Sequence, residues 1–164
     1  MATPEQRLND LLAEQDAITL ATAESCTGGH VTARITNIAG SSAYFHGGVV
    51  SYTNAVKAHL LNVPETVLQN PGAVSEECAR AMAEGARSQL DASIAVSITG
   101  IAGPSGGTKR KPVGLVYIGI ASPSGTDVEC HQFSGDREEV IGAAAERALE
   151  LLVEQVEATL EHEQ

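Results

Sequence analysis

The sequence predicts an α/β domain of three layers, with a mixed, mostly parallel sheet flanked by helices. Three observations carry that prediction. Short apolar runs alternate with helix-period segments through the first half of the chain, two such runs follow one another late, and no linker or repeat interrupts them. At 164 residues, the chain is expected to form a single domain over 1–164.

"TPEQRLNDLLAEQD" opens the first helix, with Thr3 as N-cap, Pro4 in the first helical position and Gln6 completing a capping box. Leu8, Leu11 and Leu12 mark its buried face. "AITLATAE" (17–24) reads as a strand that feeds Ser25 and a helix carrying Val31, Ile35 and Ile38, broken by "AGSS" at 39–42. "GGVVSYTN" (47–54) reads as a second strand, and "NAVKAHLL" as a short helix capped by Asn54. "VPETVLQNPGAV" reads as turns. Ser75 caps a helix through Leu90, with Ala79, Met82, Ala83, Ala86 and Leu90 on its buried side. "ASIAVSITG" (92–100) is nearly continuous in apolar and β-branched residues, as a strand buried on both faces must be. After the loop 101–112 come strands over 113–121 and 125–135, then a long helix capped by Asp136 with Glu139 three residues on. Its last residues, "EATLEHEQ", are expected to fray.

Composition narrows the function. A formal net charge of −11 disfavours nucleic acid and anionic membranes as partners, since both need clustered cations. No stretch approaches the roughly 20 apolar residues of a membrane span, and the N-terminus lacks the order of a signal peptide. Cys26, Cys78 and Cys130 are odd in number and widely spaced, which fits a reduced, cytoplasmic chain and offers no metal-site spacing. Aromatics are 3%, so the core must be aliphatic.

The candidate chemistry begins at "ESCTGG". Ser25 at a strand-to-helix turn can be an N-cap. The same position also suits a nucleophile or an anion-binding hydroxyl, beside free amide donors and the positive end of a helix dipole. Backbone donors near Cys26 and Thr27 could hold an anion or oxyanion there, and Gly28 and Gly29, lacking side chains, would let a ligand approach the backbone. None of His30, His46, His59, His131 and His162 has an acidic partner at a suggestive spacing. Lys57 is the other base: early in its helix and among Val56, Ala58 and Leu60, it is disfavoured as a cation by both desolvation and the dipole. Tyr52, at a strand end, is placed to relay a proton to it; the bland alternative is a solvated lysine beside a core tyrosine. The loop "GPSGGTKRKPVG" is either a mobile turn or a ligand loop, and Lys109, Arg110 and Lys111 are the densest cations of an acidic chain. Arg137, in a first helical turn where a cation is disfavoured, reads as an anion ligand or as the partner of Glu138 or a nearby acid.

Taken together, "TAESCTGG", "GSSAYFHGGVVSYTNAVK", "GAVSEECARAMAEGAR", "SITGIAGPSGG", "KPVGLVYIGIA" and "FSGDRE" resemble the CinA C-terminal domain family, in family order and over nearly the whole chain. Active members of that family are nicotinamide-nucleotide amidohydrolases. The resemblance implies an α/β domain, often a homodimer, that hydrolyses the carboxamide of nicotinamide mononucleotide to nicotinate mononucleotide and ammonia without metal or cofactor. It implies Ser25 as nucleophile, with Tyr52 and Lys57 as its activating pair. Thr99, Gly100, Gly103, Gly106 and Gly107, in the segment matching "TGIAGPSGG", are assigned to the substrate. "TKRKP" departs from the family by being more basic. Family members often carry a further N-terminal domain with its own hydrolase chemistry. A non-catalytic binding module of the same fold, or a hydrolase of another small amide, are the competing expectations.

Overall fold

A computed structural model describes residues 1–163. Helix α1 (Pro4–Leu12) starts at the expected capping box, in which the Thr3 side chain accepts from the Gln6 N–H and the Gln6 side chain accepts from the Thr3 N–H. Strand β1 (Leu20–Glu24), helix α2 (His30–Thr36), strand β2 (Phe45–Val50) and helices α3 (Asn54–Leu61), α4 (Glu65–Gln69) and α5 (Glu76–Gln89) follow. Strand β3 (Ile94–Gly100), the hairpin β4 (Leu115–Ser122) and β5 (Gly125–Gln132), and helix α6 (Arg137–His162) complete the chain.

The five strands form one sheet in the order β2-β1-β3-β4-β5. β1 pairs parallel to β2 and β3, while β4 is antiparallel to both β3 and β5. Four strands therefore run one way and β4 alone runs back, which is the mixed, mostly parallel sheet expected. The helices sit on both faces. Ile94, Val96 and Ile98 of β3 point into the cluster built with α1, α2 and α6, and Ala95 points into the cluster built with α5. Each fully buried aliphatic side chain in these layers contributes roughly 1.5–3 kcal/mol.

The backbone of α5 touches the sheet at Gly119, where the helix presents mostly small residues. Cys78, Ala79, Met82, Ala83 and Ala86 are its buried face, and a Cβ at Gly119 would come within 2.7 Å of the Ala79 carbonyl oxygen. The Ser97 hydroxyl donates to that same carbonyl at 2.6 Å.

Four expectations change. Helix α3 is capped by Thr53, whose side chain accepts from the Val56 N–H, rather than by Asn54. A short helix, α4, forms inside the stretch read as turns, with Leu68 buried beneath it; five residues are too few to show a helical period. Helix α6 continues to His162 where fraying was expected, because Val156 is buried and Leu160 still packs on the core. Ser25 does not cap α2, which begins five residues later.

Candidate active site

The carboxyl ends of β1, β2 and β3 lie at one edge of the sheet, because these three neighbours are parallel. The chain leaves β1 through α2 to β2 on one side and returns through α3–α5 to β3 on the other. The crevice outside β1 and β3 is thus the point where strand order reverses, the usual ligand site of an open α/β sheet. A cleft of about 230 Å³ opens there, lined by Ser25, Cys26, Tyr52, Arg137 and the loop from Gly100 to Gly106.

Ser25 is fixed from both sides. Its N–H donates to the Ile98 carbonyl at 2.9 Å, extending the β1–β3 ladder, and the Ser51 N–H donates to the Glu24 carbonyl at 2.7 Å, extending the ladder to β2. Cross-strand bonds on either flank hold the turn that carries the hydroxyl. Its side chain meets Lys57 directly: Nζ lies 2.9 Å from Ser25 Oγ and donates at 2.7 Å to the Ser51 carbonyl.

Lys57 is 1% exposed and Ser25 8%. Among the described residues no carboxylate pairs with this amine, and burial pulls its pKa below the ordinary lysine value, with nearby Cys78 and Cys26 opposing that shift. A neutral amine in contact with a serine hydroxyl accepts its proton, so the pair has the geometry of a base and a nucleophile. Burial pushes the Cys26 thiol up to about 12, which keeps it protonated near neutral pH and weak as a rival.

The buried carboxylate of Glu24 does the capping that Ser25 does not. Oε1 accepts from the Thr27 hydroxyl (2.6 Å) and from the N–H groups of Gly29 (3.2 Å) and Val31 (3.0 Å). Oε2 accepts from the N–H (2.9 Å) and hydroxyl (2.7 Å) of Thr32. Gly28 (φ +58°) and Gly29 (φ +109°) take left-handed conformations that let the chain loop back over this carboxylate before α2 starts. Within this turn the Ser25 carbonyl accepts from the Gly28 N–H at 3.1 Å and the Thr27 carbonyl from the His30 N–H at 3.0 Å, while the N–H groups of Cys26 and Thr27 donate to no acceptor among the described residues. Glu24→Gln puts an amide NH2 against groups that are already donors, at a cost of about 1–3 kcal/mol. The melting temperature is expected to fall by roughly 3–10 °C, read by circular dichroism.

Arg137 reaches across the cleft from the start of α6. Its Nη1 donates to the Gly103 carbonyl at 2.7 Å and its Nη2 to the Tyr52 hydroxyl at 2.9 Å. It forms no ion pair with Glu138 or any other acid among the described residues, although the chain is strongly acidic. The backbone N–H groups of Ala102, Gly103, Ser105, Gly106 and Gly107 donate to no acceptor among the described residues, leaving free donors beside the guanidinium.

A family model described as the CinA C-terminal domain matches residues 2–156. The chain belongs to the CinA C-terminal domain family. A CinA-like protein of Geobacter sulfurreducens is 48% identical over 141 residues, covering 86% of this chain and 34% of that protein. Another CinA-like protein, from Geobacter sp., is 53% identical over 130 residues, covering 79% of this chain and 31% of its own length. The chain thus spans about a third of the length of the curated relatives it matches. A crystal structure of a CinA superfamily protein from Klebsiella pneumoniae superposes with a TM-score of 0.88 at 32% identity, covering 94% of this chain and 96% of that one. The competence/damage inducible protein CihA from Agrobacterium tumefaciens gives 0.86 at 38%, covering 93% and 95%.

Several residues assigned through the CinA resemblance do other work. The Thr99 hydroxyl, almost fully buried, donates to the Ala73 carbonyl at 2.7 Å and faces α5, not the cleft. Thr27 spends its hydroxyl on Glu24, leaving only its backbone N–H, next to the cleft-lining Cys26, without an acceptor among the described residues, and Gly28 and Gly29 shape the turn. Gly107 lies against Val113, where a Cβ would come within 2.8 Å of backbone. Gly100, Gly103 and Gly106 do line it. Tyr52 is 57% exposed on the rim and touches Arg137, so the expected relay to Lys57 has no hydrogen bond to run through. No histidine bonds to Ser25; His30, for instance, holds the Thr27 carbonyl.

Glu24 and the Ser51 carbonyl were not singled out from sequence. Only Glu24 carries a signal there: an acidic residue ending an apolar strand, where it must find buried donors. A larger groove, of about 570 Å³ and lined by Glu84, Arg87, Asp91 and Thr126 among others, lies at the opposite edge of the sheet; its buried Ser122 hydroxyl bonds to Ser124 and Gly125 and touches no base. Among the described residues, no His, Cys, Asp and Glu cluster is arranged to hold a metal, and no helix is long and apolar enough to cross a membrane.

Proposed function

We propose that this chain hydrolyses the carboxamide of nicotinamide mononucleotide to nicotinate mononucleotide and ammonia, with Ser25 as nucleophile and Lys57 as base. The observation that carries the reading is the 2.9 Å contact between Ser25 Oγ and a buried, carboxylate-free Lys57 Nζ. As Oγ bonds to the carboxamide carbon, its proton passes to the neutral amine. The carbonyl oxygen becomes an oxyanion, and the free N–H groups of Cys26 and Thr27 are the donors beside it. Collapse returns the Lys57 proton to the departing nitrogen, which leaves as ammonia. Water, deprotonated by Lys57, then hydrolyses the acyl ester and restores the serine. This chemistry calls on no metal or cofactor.

Charge supports an anionic substrate. Four cations without an acidic partner among the described residues lie at this edge: Arg137, the exposed Lys109 and Arg110, and Lys111, whose Nζ donates to the Pro71 carbonyl. In a chain of net charge −11, such a patch focuses a phosphate-bearing ligand on one cleft. The free amides of Ala102, Gly103, Ser105 and Gly106, with Arg137, are suited to that phosphate. The same reading makes the chain a cytoplasmic homodimer or higher homo-oligomer in pyridine nucleotide recycling.

The test is ammonia release from nicotinamide mononucleotide against plain nicotinamide. Turnover of the mononucleotide is expected, with at least about a hundredfold lower kcat/KM for the unphosphorylated compound, since remote binding energy drives the chemical step. Release from a different small amide alone would reassign the substrate. Silence with every amide would end the enzymatic reading.

A further inference from the structure

We propose that Tyr52 is a positioning residue: its hydroxyl holds the Arg137 guanidinium at the cleft mouth as a receptor for the substrate's anionic group, and takes no part in proton transfer. The inference rests on the reaction above for its substrate and departs from the family expectation for Tyr52. Two sets of contacts carry it. Lys57 Nζ is committed to Ser25 Oγ and the Ser51 carbonyl, which completes the proton path without a third residue. The Tyr52 hydroxyl instead accepts from Arg137 Nη2, while Nη1 is tied to the Gly103 carbonyl.

Arginine has five N–H donors. Two are spent on these fixed partners, and the other three stay available for an oxyanion. A free arginine side chain carries much rotamer entropy, which binding would have to remove. Anchoring the guanidinium at two points, one on the β2–α3 connection and one on the β3–β4 loop, removes it before the ligand arrives. Position argues the same way. Arg137 stands in the first turn of α6, beside Asp136, Glu138 and Glu139, yet the guanidinium turns from these carboxylates to two neutral oxygens. Its charge therefore stays uncompensated in a cleft that also contains Ser25.

Tyr52→Phe keeps the ring and removes the acceptor. One hydrogen bond corresponds to a three- to tenfold change, roughly. KM for nicotinamide mononucleotide should rise by about that factor, with kcat within about twofold and an unchanged pH dependence of kcat. On an Arg137→Ala background the same substitution should add nothing, because its effect runs through the arginine. Calorimetry on Ser25→Ala protein, which binds without turnover, should show the matching loss of affinity for the mononucleotide when Tyr52→Phe is added. A tenfold or greater fall in kcat with a displaced pH profile and unchanged KM would restore the proton relay and overturn the proposal. Equal affinity of the two Ser25→Ala proteins, or no binding by either, would also overturn it. If the wild-type chain releases no ammonia while Tyr52→Phe still weakens binding, the receptor stands and the hydrolase reading alone falls.

Discussion

Ser25→Ala is expected to abolish ammonia release while leaving the fold as it is. Loss of the nucleophile in a serine hydrolase costs on the order of 10⁶ in kcat, and the oxyanion donors alone leave only a small residual rate. Here the loss should take activity below detection in a coupled ammonia assay. Stability should barely move, since the turn is held by backbone bonds from Ser25 N–H to Ile98 and from Ser51 N–H to Glu24, which the substitution leaves intact. Only the Oγ partner of Lys57 is lost, and Nζ keeps the Ser51 carbonyl. The cost is about 1 kcal/mol or less, a melting shift of no more than about 4 °C. An alanine variant within tenfold of wild type would remove Ser25 as nucleophile. The neighbouring Cys26 would be a poor substitute, because its thiol is held protonated.

What the sequence made legible follows from the range of each interaction. Element identity was readable where periodicity ran long, as in α5 and α6, or where a strand was apolar throughout, as in β3. Cap identity at α3 was off by one residue, because Thr53 and Asn54 both suit the position and geometry alone chose between them. The larger miss was at β1. A serine after a strand and before a helix reads as a cap, but five donors converge instead on Glu24, and the helix waits until His30. No local rule reveals that a buried carboxylate will gather donors from Thr27 to Thr32. Lys57 was readable as a candidate base from its apolar neighbours, but its contact with Ser25 crosses 32 positions and exists only once β1 and β2 lie side by side. Thr99 and Gly107 show the converse: motif membership put them with the substrate, and a hydrogen bond to the Ala73 carbonyl and close approach to Val113 give their residue types a structural reason that no motif displays.

Lys57→Met should lower kcat by about 10²–10⁴, the usual contribution of a positioned base, and should also alter how stability depends on pH. Burial holds the folded pKa of Lys57 below the 10.5 of an exposed lysine. The folded chain therefore binds fewer protons than the unfolded chain between those two values, and stability rises with pH across that window. Above 10.5 both states are neutral at this site and the contribution is fully present; as pH falls through the window it is progressively lost. Methionine has the same reach, no charge and no titration, so the variant should lack this part of the slope. Denaturant unfolding of both proteins at several pH values isolates it, because every other titrating group is common to the two. The difference in stability should favour the variant most at the low end of the window and shrink toward its top. In wild type, kcat/KM should climb with pH as the amine loses its proton, and the residual rate of Lys57→Met should not follow that climb. A variant as active as wild type, or a stability difference independent of pH, would mean that the buried nitrogen is a packing element that happens to touch Ser25. A joint loss of rate and of pH slope ties both to one proton on one atom.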